Sequence, residues 1–89
     1  MIEQKVEIVN QKGLHARAAA KLINVTHTFE SDIMIQKGVN EVNGKSILGL
    51  LMLAAQMGTV LTIRADGPDE SDALSSVCQL ISNRFEESA

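Results

Sequence analysis

One histidine in this sequence lies where a polar loop gives way to a helix. Gly13 opens the stretch, His15 follows it, and Arg17 leads into an alanine-rich run that is typical of a helix. The first turn of a helix has backbone N–H groups without partners and partial positive charge, so it binds anions such as phosphate. An imidazole there could accept a phosphoryl group while Arg17 and the N–H groups neutralise the added charge. The spacing therefore favours phosphoryl chemistry at His15.

A simpler role fits the same residues, because His15 could be only an exposed cap of the helix. The second histidine, His27, lies near the predicted end of that helix, where the helix dipole favours a cation, and we interpret it as a surface residue. The sequence contains no cluster with metal-ligand spacing and no catalytic triad. We therefore expect no metal and no cofactor, and the pattern favours a transfer protein over a stand-alone enzyme.

The composition limits the classes of function. The 89 residues, of which 45% are hydrophobic and 21% charged, suit one domain over residues 1–89. A net charge of −3 and only two aromatic residues disfavour a nucleic-acid partner. The single cysteine, Cys78, allows no intrachain disulfide, and we interpret it as a small core residue. No signal peptide or bilayer-length apolar run is present, so we expect a cytoplasmic monomer or weak oligomer with no membrane partner.

The periodicity of apolar residues predicts the elements that must position this chemistry. Alternation predicts strands at residues 2–9, 31–36, 39–42 and 60–65, and helical spacing predicts a first helix at residues 16–27. A second helix follows Ser46 in a segment that ends by Gly58, and a third extends from Asp69 to about residue 85. The order β-α-β-β-α-β-α predicts an α+β fold in which helices cover one face of a sheet.

Local signals also predict how the helices begin and how the chain finishes. Ser46 is placed to accept a hydrogen bond from a free N–H of the second helix. Asp69 is expected to cap the third helix, with Asp72 three residues later as in a capping box. The second helix is apolar nearly all round, and we assign most of it to the core. We expect residues 86–89 to fray.

Two motifs make the chain resemble the HPr family, the small phosphocarrier proteins of the bacterial phosphoenolpyruvate-dependent phosphotransferase system. The first is Gly13-Leu14-His15-Ala16-Arg17-Ala18-Ala19, and the second is Asn43-Gly44-Lys45-Ser46-Ile47 running into Leu50-Leu51. The resemblance covers essentially the whole chain. It implies an open-faced β-sandwich, in which a four-stranded antiparallel sheet carries three helices on one face.

The resemblance also implies the reaction and the partners. His15 would accept a phosphoryl group on Nδ1 from phosphorylated enzyme I, with phosphoenolpyruvate as the source, and pass it to an EIIA-type protein. Arg17 would neutralise the phosphoryl charge. Ser46 matches the family's regulatory phosphorylation position, used where an HPr kinase/phosphorylase exists, although a plain helix cap also accounts for it. The resemblance also implies a partner-docking surface, which would contain Ile47, Leu48 and Leu51.

One departure from the family pattern lies beside the motif arginine, where proline is usual and this chain has Ala18. Proline lacks an N–H and fixes φ at a helix start, so alanine restores a donor and loosens the turn slightly. We expect transfer to survive this change. The motifs do not separate the sugar-transport branch from the nitrogen-related branch. Two other classes stay open: a small-molecule-sensing regulatory α+β domain with His15 only a cap, and an RNA-binding domain disfavoured by charge and aromatic content.

Overall fold

The strands and helices follow one another along the chain in the predicted order. A computed structural model describes residues 1–89. Its elements are β1 (Ile2–Glu7), α1 (Ala16–Thr26), β2 (Asp32–Lys37), β3 (Asn40–Asn43), α2 (Ile47–Met52), β4 (Val60–Asp66) and α3 (Glu70–Ser82), followed by a short 3₁₀ turn at Arg84–Glu86. The third helix is therefore shorter than predicted. None of the helices is long and apolar enough to cross a membrane.

The four strands form one antiparallel sheet in the order β1-β4-β2-β3. In the register, Ala65 of β4 lies opposite Ile2 on one side and Ile33 on the other, so alternate residues of all three strands share a face. One face is apolar and buried, and it holds Val6, Ile33, Ile35, Leu61, Ile63 and Ala65. The other face is polar, with Arg64 bonded to Glu3 and Glu41. The predicted open-faced sandwich is confirmed.

Two helices supply the apolar layer that covers the sheet. The helix α1 buries Ala18, Ala19 and Leu22, and α3 buries Val77, Cys78 and Ile81. Cys78 is a core residue, as predicted. Ala18, which stands where the family usually has proline, is fully buried within a regular α1. The packing of these helices fixes where α1 begins, and therefore where His15 lies.

Asp69 is the N-cap residue of α3, as predicted, but the prediction that its side chain caps the helix is wrong. Its carboxylate accepts hydrogen bonds from the Glu30 N–H (2.9 Å), the Ser31 N–H (2.9 Å) and the Ser31 hydroxyl, and bonds none of the first N–H groups of α3. Asp69 has φ −114° and ψ 30°, outside the extended conformation that aims a capping side chain at the helix. The Ser31 hydroxyl and then the Glu30 N–H lower the pKa of the Asp69 carboxyl. Asp69 thus ties α3 to the start of β2.

Candidate functional site

The structure places His15 at the N-cap of α1. Its backbone is extended (φ −83°, ψ −179°), and its carbonyl accepts the Ala19 N–H at 2.8 Å, which closes the first helical turn. The ring nitrogen Nδ1 accepts the backbone N–H of Arg17 at 3.2 Å, and 26% of the side chain is exposed. A side chain that caps a helix through a nitrogen lone pair points that lone pair at the positive end of the helix dipole. Nδ1 therefore lies where an added anion would be stabilised.

A tight loop carries His15 to this position. Gly13 has φ +66°, and a side-chain carbon there would lie 2.5 Å from the carbonyl oxygen of Ala55, the backbone that follows α2. The next residue, Leu14, donates its N–H to the same Ala55 oxygen at 2.8 Å and buries its side chain. Only glycine satisfies both the left-handed φ and the close approach. The start of α1 is thereby fixed against the segment after α2.

Glu87 completes the surroundings of the histidine ring. Its Oε2 lies 2.5 Å from Nε2 of His15, and its Oε1 accepts a hydrogen bond of 2.9 Å from Nδ2 of Asn10. The prediction that residues 86–89 fray is wrong for Glu87, because two hydrogen bonds hold a side chain that is only 16% exposed. Asn10 and then His15 lower the pKa of the Glu87 carboxyl. No local pattern in the sequence signals this contact, since Glu87 is 72 residues from His15.

The two ring contacts together assign the proton of the neutral imidazole. Nδ1 faces a backbone donor and must accept, whereas Nε2 faces a carboxylate and must donate. The neutral ring of His15 therefore carries its proton on Nε2 and keeps a lone pair on Nδ1. A lone pair on Nδ1 is what a nucleophile at the start of α1 requires.

A cationic side chain follows His15 two residues later, in the first turn of α1. Arg17 is exposed, and its guanidinium forms no hydrogen bond or ion pair with the rest of the chain. Together with Lys12 and Lys21 it lines a shallow hollow of about 280 Å³ that also borders Glu87. The Arg17 guanidinium is available to an anion at the start of α1, because no carboxylate is paired with it. There is no group of three or more His, Cys, Asp or Glu side chains that could hold a metal ion.

Ser46 and its helix form the second predicted part of the site. The Ser46 hydroxyl accepts the Gly49 N–H at 3.1 Å, so it caps α2 as predicted. The prediction that most of this apolar segment belongs to the core is wrong, because only Leu50 of α2 is buried. The exposed side chains are Ile47 (46%), Leu48 (66%), Leu51 (38%) and Met52 (75%). A uniformly apolar helix gives no sequence signal for which face meets water.

The helix α1 brings the two motifs onto one side of the molecule. His15 lies at its beginning, and near its end Thr26 donates to the Gly44 carbonyl at 2.9 Å while the exposed His27 contacts the Lys45 carbonyl at 3.1 Å. The helix α2 packs beside α1, and Ala55, just after it, contacts the His15 loop. The exposed apolar residues of α2 therefore lie between Ser46 and His15.

Comparison with known proteins shows which family the chain belongs to. Residues 2–83 match the PTS-HPr family model, described as the PTS HPr component phosphorylation site. The phosphocarrier protein HPr of Neisseria meningitidis serogroup B is 45% identical over 87 residues, which cover 98% of each chain. The chain belongs to the HPr family. This HPr-family protein is also 40% identical, over 88 residues, to the phosphocarrier protein NPr of Shewanella violacea, covering 99% of this chain and 97% of that protein.

Solved HPr structures share the fold in full. The crystal structure of HPr-C-His from Thermoanaerobacter tengcongensis superposes with a TM-score of 0.96 at 38% identity, and the match covers all of both chains. The family therefore makes this protein a phosphocarrier of the phosphotransferase system. The sensing-domain and RNA-binding alternatives gain no support from these matches. Relatives named HPr and NPr both match, so neither branch is favoured.

Proposed function

We propose that this protein accepts a phosphoryl group on Nδ1 of His15 from phosphorylated enzyme I and passes it to an EIIA-type protein in the cytoplasm. Phosphoenolpyruvate is the source of the phosphoryl group. One observation carries the proposal: at the positive end of α1, Nδ1 keeps a lone pair because Nε2 is bound to Glu87. The protein acts as a relay between two partners.

The chemistry needs little beyond positioning and charge. The Nδ1 lone pair attacks the donor phosphorus, so an N–P bond forms as the bond between phosphorus and its donor breaks. The first-turn N–H groups and the free guanidinium of Arg17 stabilise the phosphoryl oxygens. The ring retains its Nε2 proton and gains positive character, which the Glu87 carboxylate offsets at 2.5 Å. Attack by the acceptor on the same phosphorus then restores neutral His15.

Docking uses the exposed apolar side of α2. Ile47, Leu48 and Leu51 form a contiguous patch beside the His15 loop, and large exposed apolar residues in such a patch are typical of protein interfaces. Lys12, Arg17 and Lys21 line the hollow that borders Glu87, the residue bonded to the His15 ring. The apolar patch and the unpaired guanidinium of Arg17 suit a partner with an apolar surface bordered by carboxylates, such as enzyme I or an EIIA-type protein.

Ser46 is proposed as a regulatory site for an HPr kinase/phosphorylase. Its hydroxyl already caps α2, so a phosphoryl group there would add nearly two negative charges at a helix end that tolerates them. The fold should be retained, whereas a partner surface that carries carboxylates should be repelled. The variant Ser46→Asp should accept phosphoryl groups more slowly than Ser46→Ala, and equal rates for the two variants would remove the regulatory proposal.

The phosphoryl relay is tested by incubating the protein with phosphoenolpyruvate and purified enzyme I. The wild type should acquire an acid-labile phosphoryl group and lose it when an EIIA-type protein is added. The variant His15→Ala should acquire none while keeping its far-ultraviolet circular dichroism. His27→Ala is the matched control, because His27 lies at the other end of α1 and should be dispensable. Phosphorylation of the His15→Ala protein would show that another residue is the acceptor.

A further inference from the structure

The segment after α3 has a backbone that few sequences adopt. Arg84, Phe85 and Glu86 have φ values of 57°, 54° and 64°, and none of them is glycine. A positive φ is unfavourable for any single residue that carries a side chain, so three such residues in succession are rare. Strain of this kind persists where surrounding structure imposes it, and it is concentrated at functional sites.

Specific contacts impose this conformation. Phe85 is completely buried, and its carbonyl accepts a hydrogen bond of 2.8 Å from Nζ of Lys21 on α1. The Glu87 N–H donates to the Arg84 carbonyl at 2.9 Å, which closes the left-handed turn. The result is that the chain reverses after α3 and delivers the Glu87 carboxylate to the ring of His15.

Asn10 links Glu87, which follows the left-handed turn, to the loop that carries His15. Its Nδ2 donates to the Gly13 carbonyl (2.9 Å) and to Oε1 of Glu87 (2.9 Å), so both amide hydrogens are used. Asn10 is completely buried, and its Oδ1 has no hydrogen-bond partner. A buried unpaired oxygen destabilises a protein, and an apolar residue in this place would avoid that penalty. The presence of asparagine at this buried position therefore indicates that the two hydrogen bonds donated by its Nδ2 are needed.

We infer that Asn10 is a positioning residue for phosphoryl transfer. Asn10 holds Oε1 of Glu87, Glu87 holds the proton of His15 on Nε2, and the lone pair therefore stays on Nδ1. This inference rests on the proposed function of His15. The opposite tautomer would place a proton against the Arg17 N–H and a lone pair against a carboxylate, so both ring contacts would be lost. Without Asn10, Glu87 keeps only the ring and a distant charge from Lys12 as partners.

The direct test measures the tautomer of His15 by NMR in protein labelled with ¹⁵N-histidine, at a pH where the ring is neutral. The wild type should show the Nε2–H form. In Asn10→Leu and in Glu87→Ala, the fraction of the Nδ1–H form should rise toward that of blocked histidine in the same buffer. Glu86→Ala is the matched control, because the neighbouring Glu86 side chain is exposed and forms no hydrogen bond. An unchanged tautomer in both Asn10→Leu and Glu87→Ala overturns the inference.

Kinetics separate positioning from a purely structural role. With enzyme I as donor, kcat should fall by about tenfold in Asn10→Leu and in Glu87→Ala, as expected for loss of a charge-assisted hydrogen bond, while KM for the protein stays constant. Glu86→Ala should match the wild type. If Asn10→Leu fails to fold, the pair Glu87→Ala and Glu86→Ala decides the question. If Glu87→Ala has the same kcat as the wild type, the inference about Asn10 is refuted and the proposed function stands. If the wild-type protein is never phosphorylated on His15, the proposed function itself is refuted.

Discussion

Replacing Gly13 with alanine should destabilise the protein in a way that a matched glycine control isolates. Gly13 (φ +66°) and Gly38 (φ +60°) have nearly the same left-handed backbone. A side-chain carbon at Gly13 would lie 2.5 Å from the Ala55 carbonyl oxygen and 3.0 Å from Cα of Gln56, whereas at Gly38 nothing lies within 4 Å. Both neighbours of Gly13 are backbone atoms, so no side-chain rotation relieves the contact. The difference between the two variants therefore measures the close approach itself.

The magnitude follows from the two contributions. Each alanine has a left-handed penalty of about 1–2 kcal/mol, which cancels between the variants. Gly13→Ala must also shift the loop and weaken the Leu14 N–H bond to Ala55, now 2.8 Å, for about 0.5–1.5 kcal/mol, with packing losses added. We expect Gly13→Ala to be about 1–2 kcal/mol less stable than Gly38→Ala. For a domain of this size that corresponds to a Tm lower by about 4–16 °C.

Two assays follow from this comparison. Thermal and urea unfolding, monitored by circular dichroism, give the stability difference between Gly13→Ala and Gly38→Ala. Phosphoryl acceptance from enzyme I gives the functional difference, because a shifted loop moves His15 and a misplacement of about 1 Å can slow a transfer about a hundredfold. Gly38→Ala should transfer at the wild-type rate. Equal stability of the two variants, or normal transfer by Gly13→Ala, would refute the account of how the loop is positioned.

Three further variants test other parts of the structure. In Asp69→Asn, the free energy of unfolding should fall less steeply than in the wild type as the pH is lowered. The pKa of the folded Asp69 carboxyl is lowered, so its contribution is present above the unfolded value near 3.9 and is lost as pH falls through the lower folded value; urea midpoints between pH 2 and pH 6 measure this. Phe85→Ala should lower the free energy of unfolding by about 3–5 kcal/mol, because the ring is completely buried, and Phe85→Leu should lower it less, as chemical denaturation will show. Arg17→Ala should slow phosphoryl acceptance by about ten- to a hundredfold, with partial recovery in Arg17→Lys, which lacks the planar fork of donors; rapid-quench kinetics with enzyme I check both.

Local signals in the sequence predicted the helix starts that matter most. His15 and Ser46 cap α1 and α2 because capping depends only on residues within one turn, and the strands follow from alternation within each segment. Asp69 misled the same reasoning, because its carboxylate found better donors in Glu30 and Ser31, 38 or more residues away in the sequence. The Asp69 carboxylate makes these long-range hydrogen bonds instead of the hydrogen bond to the first turn of α3 that the sequence pattern predicted.

The contacts around the histidine ring could not be predicted in the same way. Asn10 and Glu87 are 77 residues apart, and neither lies in a periodic segment that would indicate their meeting. The left-handed turn that brings them together contains no glycine to mark it. The exposed side of α2 could not be predicted for a different reason. A helix without polar residues has the same sequence pattern whether it is buried in the core or exposed for a partner. Long-range geometry supplied what the local pattern lacked.

The measurement that tests the central claim most directly is the position of the phosphorus on the phosphorylated protein. Protein labelled with ¹⁵N-histidine and phosphorylated by phosphoenolpyruvate and enzyme I is examined by ³¹P and ¹⁵N NMR at alkaline pH, where phosphohistidine persists. The structure predicts one phosphorus atom bonded to Nδ1 of His15, with Nε2 still directed at Glu87. A phosphorus atom on Nε2 of His15, or on His27, would contradict the account.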